Sequence, residues 1–445
     1  MFQQLPHPWS MCRKRRLIQF LNTLFWCSGG VALCVFGARA DGALDWNACV
    51  REVSENNPSL ASFRASERAA LSEAKASILR HMPSAGFVYE KDQSEVIFPD
   101  AFLNTGPSRI DRHGWRGGLN LFSGFGILAA NRASISNLRR SREETRRVSA
   151  QLRFDLREAF YRLLLVQKRS ELLAEITRRL DSDVSIVEIR FNAGLAPRWS
   201  LLSVRAQAAE AKWRIQESEL ALRAGERRLA SILGGESGES IRVSGDFDSA
   251  PPPGDVDSNA DSLQRNPEIA FREETLRLAR DQVAIARSGF WPTVNLSGQY
   301  LWQDSQWPPR IRTWTVGLGV HLPVFSAPRN YYLTDAAKER VRQEERRLAV
   351  TRFSTLDSMQ ESYARYRAAF EKVSVTRGLL AAEIEREETL RASFKVGRAS
   401  YFEWNSAVSR RNELELALLE DRFSSALARA SWARSSGIGL EDDLP

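Results

Sequence analysis

Between residues 293 and 322 the chain alternates. Val294, Leu296, Tyr300 and Trp302 fall on one side of an extended strand, and Thr293, Asn295, Ser297 and Gln299 on the other. After Trp307-Pro308-Pro309, a second strand sets Trp314, Val316, Leu318, Val320 and Leu322 against Thr313, Thr315, Gly317, Gly319 and His321. A weaker copy lies upstream, with Phe87 and Tyr89, then Trp115, Leu119 and Leu121. The loop between them is expected to carry Phe98-Pro99-Asp100 and Gly106-Pro107. Elsewhere the period becomes helical. Residues 128–190 contain no Pro or Gly, and neither do 330–377. Roughly sixty helical residues reach about 90 Å, a rod rather than a globular helix. One rod repeats Leu152, Leu156, Ala159, Leu163, Val166, Leu173, Ile176, Leu180 and Val187 in steps of four and three, with one heptad gap. The other repeats Phe353, Leu356, Tyr363, Tyr366, Phe370 and Val373. Such narrow stripes suit coiled-coil packing, and the Arg/Glu-rich faces opposite them suit water.

The pattern occurs twice. Glu55-Asn56-Asn57-Pro58-Ser59-Leu60 matches Gln264-Arg265-Asn266-Pro267-Glu268-Ile269, and Pro83 matches Pro292, both at an offset of 209. Leu121-Phe122-Ser123 matches Val324-Phe325-Ser326, and Arg190-Phe191-Asn192-Ala193-Gly194 matches Ser393-Phe394-Lys395-Val396-Gly397, both at 203. Four landmarks in order at nearly constant spacing indicate a duplicated domain-sized unit rather than a solenoid. The expected organisation is a signal peptide (1–40), a first repeat (41–233) and a Gly/Pro/Asp-rich linker or equatorial region (234–262). A second repeat (263–436) and a short acidic, solvated tail (437–445) complete it. Each repeat holds a leading helix, two strands and two long helices.

Arg13-Lys14-Arg15-Arg16, the apolar run Leu17 to Phe36 and Ala38-Arg39-Ala40 form an export signal with cleavage expected before Asp41. An uncleaved anchor is the alternative, and bulky Leu33 before Cys34 argues against lipidation. Removing the signal leaves only Cys49 of four cysteines, so an internal disulfide is excluded. His7, His81, His113 and His321 are scattered without ligand spacing, so neither a metal nor a cofactor is predicted. The net charge of +8 falls to +3, with Arg and Glu interleaved along the helices, which argues against nucleic acid. No nucleophile–base set or phosphate loop appears, so no enzyme is predicted.

The predicted fold is mainly α with a small β part. Four strands cannot close a membrane barrel, since small barrels begin at about eight. Unclosed edges are forbidden in lipid and aggregate in water. Either the strands pack a soluble core, or several chains share one barrel, three giving twelve strands. The aromatics Trp115, Trp291, Tyr300, Trp302, Trp307 and Trp314 suit the girdle of such a barrel.

Over about residues 44–436 the chain resembles the TolC-like outer-membrane efflux proteins of Gram-negative bacteria. The resemblance rests on the duplicated Asn-Pro segments, Trp291-Pro292-Thr293-Val294-Asn295-Leu296, Leu322-Pro323-Val324-Phe325 and Arg190-Phe191-Asn192-Ala193-Gly194-Leu195. It implies a homotrimer with a twelve-stranded barrel in outer-membrane lipid and a helical tunnel in the periplasm. The tunnel would dock to a periplasmic adaptor and an inner-membrane transporter. Thr293, Asn295, Ser297, Gln299, Thr313 and Thr315 are then the lumen-facing candidates, and Val294, Leu296, Tyr300, Trp314, Val316 and Leu318 the lipid-facing ones. The periplasmic tips and aperture would be the Gly194 and Gly397 turns with Leu195, Arg198, Trp199, Phe394, Arg398 and Glu403. The family's acidic latch is altered here. Trp199-Ser200 replaces a Thr-Asp pair, Phe394 a Tyr, and Ser406 one of two acids. Glu403 is either the remaining acid of an anionic ring or a surface helix acid, and Trp199 could take a cation–π contact from Arg198 or Arg398. Alternatives are an exit duct for type I protein secretion and, in another class, a soluble periplasmic coiled-coil adaptor or scaffold.

Overall fold

The computed structural model describes residues 43–96, 105–235, 240–247, 250–253, 263, 265–325 and 327–443. The export signal and Phe98-Pro99-Asp100 lie outside them. Pro58 has no amide hydrogen to continue a helix, so the described part opens with two helices, α1 (Trp46–Asn56) and α2 (Pro58–Ile78), joined at Asn57. The hairpin β1 (Ser84–Val96) and β2 (Thr105–Ser123) follows, then α3 (Gly126–Asn192) and α4 (Arg198–Leu233). The second half repeats the order with α5 (Pro267–Ser288), β3 (Thr293–Asp304), β4 (Ile311–His321), α6 (Ala327–Lys395) and α7 (Tyr401–Ser435). The 67 residues of α3 and 69 of α6 make rods of about 100 Å. Gly106 and Pro107 belong to β2 rather than to the loop, because the strand starts at Thr105.

Each long helix is flanked by two shorter ones stacked end to end. Asn57 caps α2 by accepting from the Leu60 amide (3.1 Å), while its Nδ2 donates to the Ile232 carbonyl at the end of α4 (2.8 Å). Asn266 caps α5 by accepting from Glu268 (3.0 Å) and donates to the Ser435 carbonyl at the end of α7 (2.8 Å). The duplicated Asn-Pro therefore joins the helices as well as starting one. Gly234 and Gly437 complete the two joints in the left-handed region, φ 82° at each. A Cβ there would stand 2.5 Å from the Asn56 carbonyl oxygen or 2.3 Å from Pro267 Cδ, so only glycine fits.

α3 packs on α2 and α5, and also on α4 and α7; α6 packs on α5 and α7. Eight of the nine predicted α3 stripe residues are buried, Val166 being half-buried. The α6 stripe is buried at Tyr366 and Val373, but Phe353 is 75% exposed and Leu356 also faces out. Within one chain α6 has α5 and α7 as its main neighbours, and Phe353 and Leu356 are left uncovered by them.

The largest core gathers α1, α3, the end of α4, the inter-repeat segment and α7. Leu156, Leu163, Leu229 and Leu233 are fully buried there, each contributing on the order of 2 kcal/mol. The described part of the linker joins this core through Ile241, Val243 and Phe247, and Leu44 pairs beside Val243. The tail is not solvated as expected. Leu440 is buried, Asp443 accepts from Arg153 (2.7 and 3.0 Å) and from the Trp46 indole (3.1 Å), and Ser149 donates to Glu441 (2.7 Å). Asp443 is the ion-pair partner of Arg153 and Arg157, nearly three hundred residues away. Among the described residues no helix is long and apolar enough to cross a membrane.

Candidate functional site

Two regions carry the predicted site residues, the sheet and the helical tips. The sheet is antiparallel in the order β1-β2-β3-β4, which leaves β1 and β4 as edges. Directly paired residues share a face, so the register sorts the side chains. Phe87, Trp115, Tyr300 and Trp314 form one row, Leu119, Leu296 and Leu318 another, and Phe122, Val294 and Val320 a third. A register shift between Asn120 and Phe122 brings Phe122 into that last row in place of Leu121. This apolar face is bare: Trp314 is 73% and Val316 67% exposed. All six predicted lipid-facing residues lie on it.

The other face holds Thr293, Asn295, Ser297, Gln299, Thr313 and Thr315 together. Asn120 donates to Asn295 across the β2–β3 pair (2.7 Å). The alternation pattern did not single out its charges. Arg112 pairs with Asp92 (2.5 Å) and Arg116 with Glu90 (3.2 Å), all four on this polar face. The spacing of Glu90 and Asp92, and of Arg112 and Arg116, was the available clue. Leu301 is buried on this face between Gly114 and Thr313, and Val88, Ile110 and Ile311 also lie on it.

At the far end the two helical hairpins turn alike. The Leu195 amide donates to the Arg190 carbonyl and Arg398 to Ser393, each at 2.8 Å, around left-handed Gly194 and Gly397. These six-to-one bonds close both rods with carbonyls satisfied. Leu195, Arg198, Trp199 and Arg398 are exposed there. Phe394, by contrast, is 3% exposed, stacked on Trp404 with centroids 4.8 Å apart and planes at 22°. Arg190 from the first repeat lies 4.7 Å over the Phe394 ring and donates to the carbonyls of Phe394 (2.7 Å) and Lys395 (3.1 Å). The cation–π contact at the tips is thus Arg190 with Phe394. Trp199 meets Tyr401 edge-on instead, at 5.4 Å. Burial pushes the Tyr401 phenol above its ordinary value.

Glu403 closes a capping box. Its carboxylate accepts from the Ser400 amide (2.9 Å) and hydroxyl (2.8 Å), and its amide donates back to Ser400 Oγ (3.2 Å). Those donors hold the Glu403 carboxyl below its ordinary range.

Above the tips a buried charge network ties three helices. Glu387 of α6 accepts from the Trp404 indole (3.2 Å) and Arg411 (3.0 Å) of α7. Arg391 of α6 pairs with Asp183 of α3, and Arg179 of α3 with Glu415 of α7. Burial pushes the Asp183 carboxyl up against the pull of Arg391. Sequence reading missed this network, because its partners lie far apart in the chain. Among the described residues no group of His, Cys, Asp or Glu could hold a metal ion.

The sequence profile of the outer membrane efflux protein family matches residues 49–235 and 260–437. The two matched segments correspond to the two repeats. Among curated protein sequences none matches the chain. Among solved structures the fold is similar to CusC, described as forming a transmembrane channel, with TM-score 0.79 and 18% identity over 91% of this chain and 96% of that one. It is similar to the outer membrane protein VceC from Vibrio cholerae, with TM-score 0.76 and 17% identity over 88% and 96%. It is also similar to the open state of the Neisseria gonorrhoeae MtrE outer membrane channel, with TM-score 0.77 and 15% identity over 90% of each chain.

Proposed function

The chain belongs to the outer membrane efflux protein family, and we propose that three copies form the passive exit duct of a tripartite efflux system. Members of the family are conduits, and this chain is not an enzyme. The observation that carries the trimer is the open sheet. It has two unpaired edges, one bare apolar face and one polar face with its charges paired. Closing the edges against other copies satisfies the backbone, and lipid covers the apolar face. Two copies would supply eight strands, an interior that side chains fill, whereas three supply twelve and leave room for water. In this reading Thr293, Asn295, Ser297, Gln299, Thr313 and Thr315 line the lumen. Val294, Leu296, Tyr300, Trp314, Val316 and Leu318 face lipid.

The α3–α4 and α6–α7 hairpins extend into the periplasm, and the turns at Gly194 and Gly397 meet an adaptor that links the duct to an inner-membrane transporter. Energy comes from that transporter, and small molecules leave through the water-filled path. Exposed Leu195 and Trp199 offer apolar contacts to the adaptor, and Arg198 and Arg398 offer charge. With Glu403 engaged by Ser400, closure of the aperture relies on the Arg190–Phe394 contact and the charges around Glu387 more than on an acidic ring. The test is fractionation of cells expressing the chain, then the mass of the detergent-extracted particle with detergent subtracted. An outer-membrane particle of about three chains that conducts ions in a planar bilayer is expected. A water-soluble monomer or dimer without conductance would overturn the reading.

A further inference from the structure

The outer rim of the apolar face carries cations that a duct does not require. Tyr89, His113, Trp302 and Arg312 form one row across the four strands, and Lys91 stands one row further toward the loops, beside Asp111. The row is an aromatic platform. His113 stacks on Trp302 (5.5 Å, planes at 10°), and Trp307 folds back from the β3–β4 turn onto Tyr89 (6.1 Å) and His113 (5.5 Å). Of the acids here, Asp111 is buried, with Arg109 Nε at 3.9 Å from one oxygen and the other oxygen without a hydrogen-bond partner, and Asp304 accepts from the amides of Ser305 (2.7 Å) and Arg310 (3.3 Å). Lys91 and Arg312 are exposed, and among the described residues neither has a carboxylate partner.

Aromatic side chains in a barrel wall sit at headgroup depth, and unpaired cations at their outer margin face the headgroups themselves. We propose that Arg312 and Lys91 bind the phosphate of an outer-leaflet lipid headgroup, over the platform of Trp302 and His113. The inference rests on the membrane-barrel reading above. The two cations occupy opposite edge strands, about 14 Å apart across one sheet, too far for one phosphate. When copies close the barrel, β4 of one lies beside β1 of the next, and the cations stand on adjacent strands. One site then falls at each seam. Arg312 supplies a planar fork for two phosphate oxygens, and Lys91 a point charge.

The test uses the full-length assembly purified in detergent. It is titrated with a bisphosphorylated glycolipid, with its dephosphorylated counterpart and with inorganic phosphate, and bound lipid is counted by native mass spectrometry. A cation near an anionic lipid surface is worth about fivefold in affinity, so the phosphorylated lipid should bind at least tenfold tighter than its counterpart. Lys91→Gln with Arg312→Gln should erase that preference while the three-chain mass and the conductance stay unchanged. Equal binding of the two lipids by the wild type, or a preference that survives in the double variant, overturns the proposal. Displacement of the lipid by millimolar inorganic phosphate overturns the headgroup as the source. Absence of a three-chain conducting particle in the wild type would instead count against the barrel reading.

Discussion

Glu387 holds α6 to α7 within the second hairpin, and its partners Arg391 and Arg411 stand beside the bridges to the first. It is 3% exposed and touches the Trp404 indole, Arg411 and, at 3.8 Å, Arg391. Replacing it by Gln keeps an oxygen for the indole N–H and removes the charge. Breaking a fully buried ion pair by deleting one partner costs about 3–5 kcal/mol. Here both guanidiniums retain a second carboxylate, Glu415 for Arg411 and Asp183 for Arg391, and both side chains reach water in part. The cost should therefore fall to about 2 kcal/mol, allowing for solvent screening. Glu387→Ala also orphans the indole N–H, which adds about 1–3 kcal/mol.

A local loss of about 2 kcal/mol makes opening of the α6–α7 turn about thirtyfold more frequent. Hydrogen exchange read by mass spectrometry over residues 388–411 measures this directly. The Glu387→Gln variant should exchange about thirtyfold faster there, with β1–β4 and the core around Leu156 and Leu229 unchanged. Exchange within threefold of wild type would refute the reasoning and mean that water already screens the network. Faster exchange throughout the molecule would refute a local role.

Three other outcomes follow from the same geometry. Val316→Arg, on the apolar face, should cost about 2–4 kcal/mol per chain and deplete assembled protein in the membrane. Thr315→Arg on the opposite face should assemble and shift conductance toward anions, and equal assembly of the two would contradict the assignment of faces. Gly234→Ala and Gly437→Ala force a side chain into left-handed backbone at about 1–2 kcal/mol, plus a steric clash, so both should lower the thermal midpoint. The control, Gly378→Ala, meets nothing within 4 Å in the interior of α6 and should raise it. Because the Glu403 carboxyl is held below its ordinary 4.5, its stabilisation is full above about pH 4.5 and lost as pH falls through the native value. Exchange at the first turn of α7 should accelerate on acidification, and Glu403→Gln should remove that dependence.

What was legible in the sequence was what depends on near neighbours. Asn57 and Asn266 announce helix starts because a side chain reaching an amide two or three residues on is a local event, and Gly194 and Gly397 announce stops for the same reason. Alternation separated Val316 from Thr315 because a strand has a period of two whatever it packs against. What was illegible needed a partner. The period at Phe353 defines a face of α6 but not what lies against it, and the tail reads as acidic until Arg153 and Trp46 are beside it. Glu387 and Asp183 look like ordinary acids of an Arg/Glu-rich rod. Only the packing of α3, α6 and α7 makes them interior charges.

The tips show why a duplicated chain need not behave as two equal halves. The 203-residue offset aligns Arg190 with Ser393 and Phe191 with Phe394. Yet the contact that joins the hairpins at their turns runs from Arg190 to Phe394, between positions that are not equivalents. Its reverse would need a cation at Ser393, which is absent. The contact is therefore one-way: the first hairpin grips the end of α6, and among the described residues no matching cation–π contact grips the end of α3. Arg190 is not alone in tying the hairpins, since Arg391 of α6 pairs with Asp183 of α3, and Arg179 of α3 with Glu415 of α7. The duplication thus supplies the repeated rods and turns, and it breaks down at Arg190 and Phe394, where one half holds the other by a contact that has no mirror image.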